Sequence, residues 1–180
     1  MLILKLSKKA NKEIFYKLNG LAGRSKFFDR LYIFWARDFL AVFLFLALVA
    51  YLWPGLVEVI NLNRSRIVAV FLISCFSWLL SVLIKYSHFT PRPYVKKDAK
   101  SHILLKKHKH SPAFPSGHAA IFFAVASSLS LFVPFLSVLM FVIATIISAS
   151  RVITGLHWPI DLLGGAVVGT AIPLIIYAIL

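Results

Sequence analysis

The stretch PSGHAAIFFAVASSLSLFVPFLSVLMFVIATIISASRVITGLHWPID, residues 115–161, decides the fold. Its centre, Ala119 to Ala149, is apolar apart from small hydroxyl residues. A bilayer crossing takes about 20 residues, or about 17 at the short end, so this run is too long for one. Pro134 divides it, and proline inside a helix removes a hydrogen bond and clashes with the preceding turn. Two helices are predicted, turning back on each other near Pro134. Pro115-Ser116-Gly117-His118 opens the first, and Ser150-Arg151 closes the second, with His157 and Asp161 just beyond. A returning pair puts these polar groups on one side of the membrane.

Working outward, three more apolar stretches appear. Phe39 to Trp53 ends at Pro54-Gly55, Ile67 to Ile84 contains only serines and Cys75 as exceptions, and Leu162 to Leu180 follows Asp161. The expected architecture is all-α: a polytopic transmembrane bundle of five spans. Phe39–Trp53 is short for a span, so its helix is expected to extend back through Trp35 and Arg37. The helices around Pro134 must include Ser116–His118 and Ser150–Ile153, and the last helix starts near Trp158. Before the bundle, Ile14, Phe15, Leu18 and Leu21 share one helical face, and Phe27, Phe28, Tyr32, Phe34 and Trp35 follow. This pattern predicts an interfacial helix leading into an aromatic belt. The chain thus divides into a basic amphipathic segment, 1–38, and a transmembrane domain, 39–180. Leu2 to Leu6 is too short, and interrupted by Lys5, to read as a cleavable signal.

Composition agrees. Hydrophobic residues make up 60% and charged residues 14% of the 180, against about 45–50% and about 25% in soluble domains. The charge is lopsided, with 20 Lys plus Arg against 6 Asp plus Glu. That implies an anionic partner: a bilayer containing anionic lipid, or an anionic substrate. Nucleic acid is not expected, because the basic residues border apolar spans. The single cysteine, Cys75, excludes an internal disulfide and a Cys-based zinc cluster, and reads as a small buried apolar residue. The loop from Thr90 to Ala113 carries six lysines and His102, His108 and His110. It reads as a solvated basic loop; the histidine spacing matches no standard metal site, and no metal or other cofactor is expected.

Ionisable residues at membrane depth are costly and usually functional. Here they form three clusters at span ends. Lys85 closes the second stretch, and Arg92 follows between Pro91 and Pro93. A point charge and a bidentate fork suit phosphate. Ser116 and Gly117 lie at a helix start, where free N–H groups and the dipole favour an anion, and His118 stands beside them. His157 and Asp161 are four apart, so the carboxylate can hold one imidazole nitrogen and leave the other free, if the helix begins that early. Helix connectivity brings all three clusters to one face.

In this combination the sequence resembles the type-2 phosphatidic-acid phosphatase superfamily, which also contains vanadium haloperoxidases. The three-part signature K-x6-RP, PSGH and SR-x5-H-x3-D reads Lys85…Arg92-Pro93, Pro115-Ser116-Gly117-His118 and Ser150-Arg151…His157…Asp161. Within the family, the small size and the Asn11–Asp38 lead-in are similar to bacterial undecaprenyl-pyrophosphate phosphatases. The resemblance implies a metal-independent lipid phosphatase acting on a lipid phosphate or pyrophosphate. It implies His157 as nucleophile, Asp161 as its orienting carboxylate and His118 as general acid and base. Lys85, Arg92, Ser116, Gly117 and Arg151 would hold the phosphoryl oxygens. Phosphatidic acid or phosphatidylglycerol phosphate is an alternative substrate, a lipid phosphotransferase an alternative reaction, and a non-enzymatic basic membrane module an alternative outside enzymology.

The side of the membrane is contested within the sequence. Eighteen Lys and Arg fall on the side of the three clusters, against Arg64 and Arg66 on the other, and the positive-inside rule then points to the cytoplasm. The resemblance implies the outer face of the plasma membrane. The outer face is the expectation adopted, since the three-part signature is the more specific feature.

Overall fold

A computed structural model describes residues 2–53, 55, 62–87, 89–95, 101–105 and 111–179. Among these the chain is helical, with short turns. Helix α1 spans Leu2–Asn19 and α2 spans Lys26–Ile33; a π-helical turn, Phe34–Asp38, joins α2 to α3, Phe39–Leu52. Then come α4 (Arg64–Ser87), a 3-10 turn (Pro93–Val95), α5 (Gly117–Leu129), α6 (Pro134–Ile153) and α7 (Pro159–Ile179). The predicted backward extension of the first span is real: Lys26–Leu52 runs as one 27-residue apolar helix through the π turn. Pro134 stands at the first position of α6, where its missing N–H costs nothing.

Among the described residues, four helices are long and apolar enough to cross a bilayer: Lys26–Leu52, α4, α6 and α7. The fifth expected span, α5, has only 13 residues. At about 1.5 Å per residue it covers about 20 Å, short of the about 30 Å of a hydrocarbon core. Five full-length spans therefore become four plus one short helix. Helix α5 is the centre of the bundle, packed by α4, α6 and α7, and nearly every one of its residues is buried. A helix apolar all round belongs in such a position.

Close packing around α5 depends on glycines that the sequence reading passed over. A Cβ on Gly165 would run into Ser116 O, and one on Gly169 into Ala120 O. The Gly165-x-x-x-Gly169 spacing lets the α7 backbone lie directly on α5, the standard way apolar helices associate in lipid. Helix α4 is arranged inside-out. Its buried face is Val70, Ser74, Ser77 and Ser81, while Phe71, Leu72, Phe76 and Leu79 point outward. Cys75 lies on that outward face and is exposed, not buried as expected. In a lipid-facing helix the small hydroxyl residues fill the tight helix–helix contacts, and their hydroxyls bond to their own helix, as Ser74 does to Val70 O.

Helix α1 forms, but its buried line is not wholly the predicted one. Phe15 is buried and Leu18 partly so, as expected, but Ile14 is 49% exposed and Asn19 takes a place in the buried line. The helix turns this line toward α6 and α7. Of the basic loop, His102 is described and exposed; the six lysines, His108 and His110 lie outside the described residues.

Candidate active site

The C-terminal ends of α4 and α6 and the N-terminal ends of α5 and α7 meet at one end of the bundle. Lys85 comes from the last turn of α4, Arg151 from the last turn of α6, and Asp161 from the first turn of α7. The three sequence clusters are thus assembled on one side, as connectivity required. Asp161 and the 115–118 segment are joined directly, since Ser116 N donates to Asp161 O at 2.8 Å.

His157 lies outside α7, which begins at Pro159; it sits in the turn between α6 and α7. Its pairing with Asp161 survives because the carboxylate reaches back over the helix start. Asp161 Oδ2 accepts from Trp158 N at 2.8 Å and stands 3.3 Å from His157 Nδ1. Both residues are 1% exposed. On the other side of the ring, Arg151 Nη2 lies 3.3 Å from His157 Nε2. A guanidinium only donates, so Nε2 must accept. That places the ring proton on Nδ1, facing Asp161, and directs the Nε2 lone pair at the Arg151 guanidinium. Burial, then the charges of Arg151, Arg92, Lys85 and His118, holds His157 well below the ordinary imidazole value of 6.5. The imidazole is therefore neutral near pH 7, the form with a lone pair to give.

The two arginines are anchored by backbone carbonyls. Arg151 Nη1 donates to Ala36 O at 2.7 Å. Ala36 lies in the π turn, a helical irregularity often found at functional sites. Arg92, 6% exposed, donates to Ser111 O at 3.1 Å and to Leu156 O at 3.4 Å. Burial pulls Arg92 below the usual guanidinium value, partly offset by Tyr94 and Asp161. A guanidinium keeps its proton even so.

Two buried polar atoms here lack a hydrogen-bond partner: Ser116 Oγ and Arg151 Nε. Ser116 occupies the N-cap position of α5, yet its side chain makes no capping bond. Unsatisfied buried polar atoms are rare and call for an explanation; at a helix N-terminus beside three cations, an anion supplies one. Gly117 has a packing role beside the expected one. The room its missing Cβ leaves is taken by the Trp78 indole, 3.1 Å from that position, so the glycine first serves the α4–α5 contact. Trp78 also lines an apolar groove of about 760 Å³ between α3, α4, α5 and α6, with Phe43, Ala47, Phe71, Ile121 and Met140. The groove therefore runs up to the helix start that carries Ser116 and His118.

Sequence reasoning missed Trp78, Ala36 and Asn19. Asn19 is buried and bonds to Ile153 O and to both backbone groups of His102. An asparagine on the same helical face as Phe15 was its one available signal.

Fold and site define a class: helical membrane proteins with buried ionisable side chains gathered at one end of the bundle. The chain belongs to the PAP2 superfamily, whose sequence profile matches residues 66–180. It is 30% identical over 160 residues to the putative undecaprenyl-diphosphatase YbjG of Escherichia coli (strain K12), covering 88% of this chain and 77% of that one. Its fold matches that of Aquifex aeolicus LpxE with a TM-score of 0.69 at 23% identity, over 92% of this chain and 93% of that one. It also matches the PAP2-type phosphatidylglycerolphosphate phosphatase of Bacillus subtilis, with a TM-score of 0.65 at 22% identity, over 97% and 86% of the two chains. The protein is a phosphoric-ester hydrolase integral to a membrane, as its family and its apolar helices together establish.

Proposed function

We propose that the protein hydrolyses an isoprenoid pyrophosphate, undecaprenyl pyrophosphate first among them, through a phosphohistidine. The observation that carries this is the setting of buried His157: Nδ1 lies 3.3 Å from Asp161 Oδ2, and Nε2 faces the Arg151 guanidinium at 3.3 Å. Nε2 attacks the terminal phosphorus, and the bond from phosphorus to the bridging oxygen breaks. His118 protonates that oxygen, and the lipid monophosphate leaves. His118 then takes a proton from water, the hydroxide attacks phosphorus, and the P–N bond breaks to free inorganic phosphate and restore Nε2. Arg151 moves its Nη2 donor from the imidazole to a phosphoryl oxygen as the substrate arrives. Lys85, Arg92, Ser116 Oγ and the Gly117 N–H complete the cradle and offset the developing charge. The lipid tail lies in the apolar groove that ends at Trp78. The name of the Escherichia coli relative supports the pyrophosphate substrate.

The test is phosphate release by purified protein in detergent, across isoprenoid pyrophosphates, phosphatidic acid and phosphatidylglycerol phosphate. His157→Ala and His118→Ala are each expected to lower turnover by at least about 10²–10⁴-fold while the protein stays folded. Near-full activity in His157→Ala would remove the nucleophile. Phosphate transfer to an added lipid alcohol in preference to water would reassign the reaction as a phosphotransferase.

We place the site on the outer face of the plasma membrane. A cysteine at Ser101 in a Cys75→Ser background, treated with a membrane-impermeant thiol reagent, reads the side. Labelling of intact cells is expected; labelling only after permeabilisation puts the site in the cytoplasm, where the positive-inside rule points.

A further inference from the structure

Helix α1 touches the 153–161 segment at three points, and that segment carries His157 and Asp161. At one end, Asn11 Oδ1 accepts from Ile160 N at 2.9 Å, next to Asp161. In the middle, the Phe15 ring lies 4.7 Å from that of Trp158, the residue whose N–H holds Asp161 Oδ2. At the other end, Asn19 Nδ2 donates to Ile153 O at 2.8 Å, two residues beyond Arg151. Positions 11, 15 and 19 are one helical face, since side chains four apart stack along a helix. Asparagine is an unusual choice for the buried side of an amphipathic helix, and Asn19 is 1% exposed.

Every hydrogen-bonding group of the Asn19 amide is engaged. The second N–H donates to His102 O at 2.8 Å, and Oδ1 accepts from His102 N at 2.8 Å. One side chain thus ties the long polar loop to the turn between α6 and α7. The turn is shaped to receive it. Gly155 has φ of +79°, and a Cβ there would come within 2.5 Å of His102 O. Leu104 N reaches Thr154 O in the same seam, at 3.4 Å.

We propose that α1 is a brace for the catalytic turn, with Asn19 and Asn11 as positioning residues acting through His157 and Asp161. The proposal rests on the reading of His157 as nucleophile. Neither asparagine touches the phosphate cradle. Their work is to fix where Nε2 stands relative to the phosphorus, and a misplacement of about 1 Å at an attacking atom costs about 10²-fold in rate. The amphipathic segment is then part of the enzyme's working geometry as well as its hold on the membrane surface.

Asn19→Ala, Asn11→Ala, the outer-face control Lys12→Ala and His157→Ala are purified in detergent. Phosphate release from farnesyl pyrophosphate is followed over a range of substrate mole fractions. Asn19→Ala is expected to lower kcat by about 10- to 100-fold with KM essentially unchanged. Asn11→Ala, which loses one surface bond, lowers kcat by a smaller factor, and Lys12→Ala keeps it. A lesion that merely unfolds a fraction of the protein shortens the melting curve and is separated by thermal unfolding of the same samples. Wild-type kcat in both asparagine variants, alongside an inactive His157→Ala, overturns the brace and leaves the phosphatase reading standing. A raised KM at unchanged kcat overturns it too, by making α1 part of substrate binding. Full activity in His157→Ala overturns the nucleophile on which the proposal rests. If Asn19→Ala does not fold, Asn11→Ala decides alone: unchanged kcat there refutes the brace.

Discussion

Asp161→Asn isolates charge from hydrogen bonding at the proposed nucleophile. One oxygen, Oδ2, serves both Trp158 N and His157 Nδ1. The amide oxygen of asparagine can take that same place, keep both bonds and preserve the tautomer. What it cannot supply is the negative charge. At the 3.3 Å between Nδ1 and Oδ2, a full pair of charges attracts by about 5 kcal/mol at an effective dielectric of about 20. Roughly half a unit of positive charge on the ring at the transition state gives about 2.5 kcal/mol, or about 10²-fold in rate. The expected result is a kcat about two orders lower with KM and thermal stability near wild type. Steady-state phosphate release in detergent micelles, with a melting curve on the same sample, measures both. Asp161→Ala should fall further and also melt earlier, since it removes the carboxylate that accepts from Trp158 N, at about 1–3 kcal/mol. An Asp161→Asn enzyme with wild-type kcat would refute the electrostatic role and reduce the carboxylate to a peg.

Three other outcomes follow from the same geometry. Because His157 is held well below 6.5, the acidic limb of kcat/KM due to this residue should lie under the usual histidine range, and a limb at 6.5 removed by His157 substitution would contradict it. EDTA is expected to leave turnover unchanged, with loss of activity and rescue by one divalent ion as the contrary result. Gly169→Leu forces a side chain into Ala120 O and Ala124 N, so it should prevent α5 and α7 from closing, read as loss of the monodisperse species in detergent and a lowered melting temperature.

The reach of the sequence was set by the range of each contact. Periodicity and Pro134 gave the helices and their turn, and the signature residues could be placed at one bundle end by connectivity alone. Helix length was less legible: α5 takes in Gly117 and His118 as expected, with Ser116 as its N-cap, but it ends at Leu129 and stays at 13 residues. Cys75 was misjudged because burial in a lipid-facing helix reverses the soluble rule, sending serines inward. Ala36, Trp78 and Asn19 escaped because their partners lie far along the chain. The Arg151–Ala36 bond spans 115 residues and the Asn19–Ile153 bond 134. No local pattern announces that a particular carbonyl will meet a particular guanidinium.

The shortness of α5 bears on how the chain is made. An insertion apparatus that weighs segments one at a time finds 13 residues there, fewer than the about 17 that hold a helix in lipid unaided. Yet the turn after it is brief, and α6 beyond Pro134 is a full 20 residues. In the folded bundle α5 is held by α4, α6 and α7, which pack around it on all sides. The motif residues at its head thus keep their places through contacts made by three other helices, and loosening any one of them loosens the arrangement around Ser116.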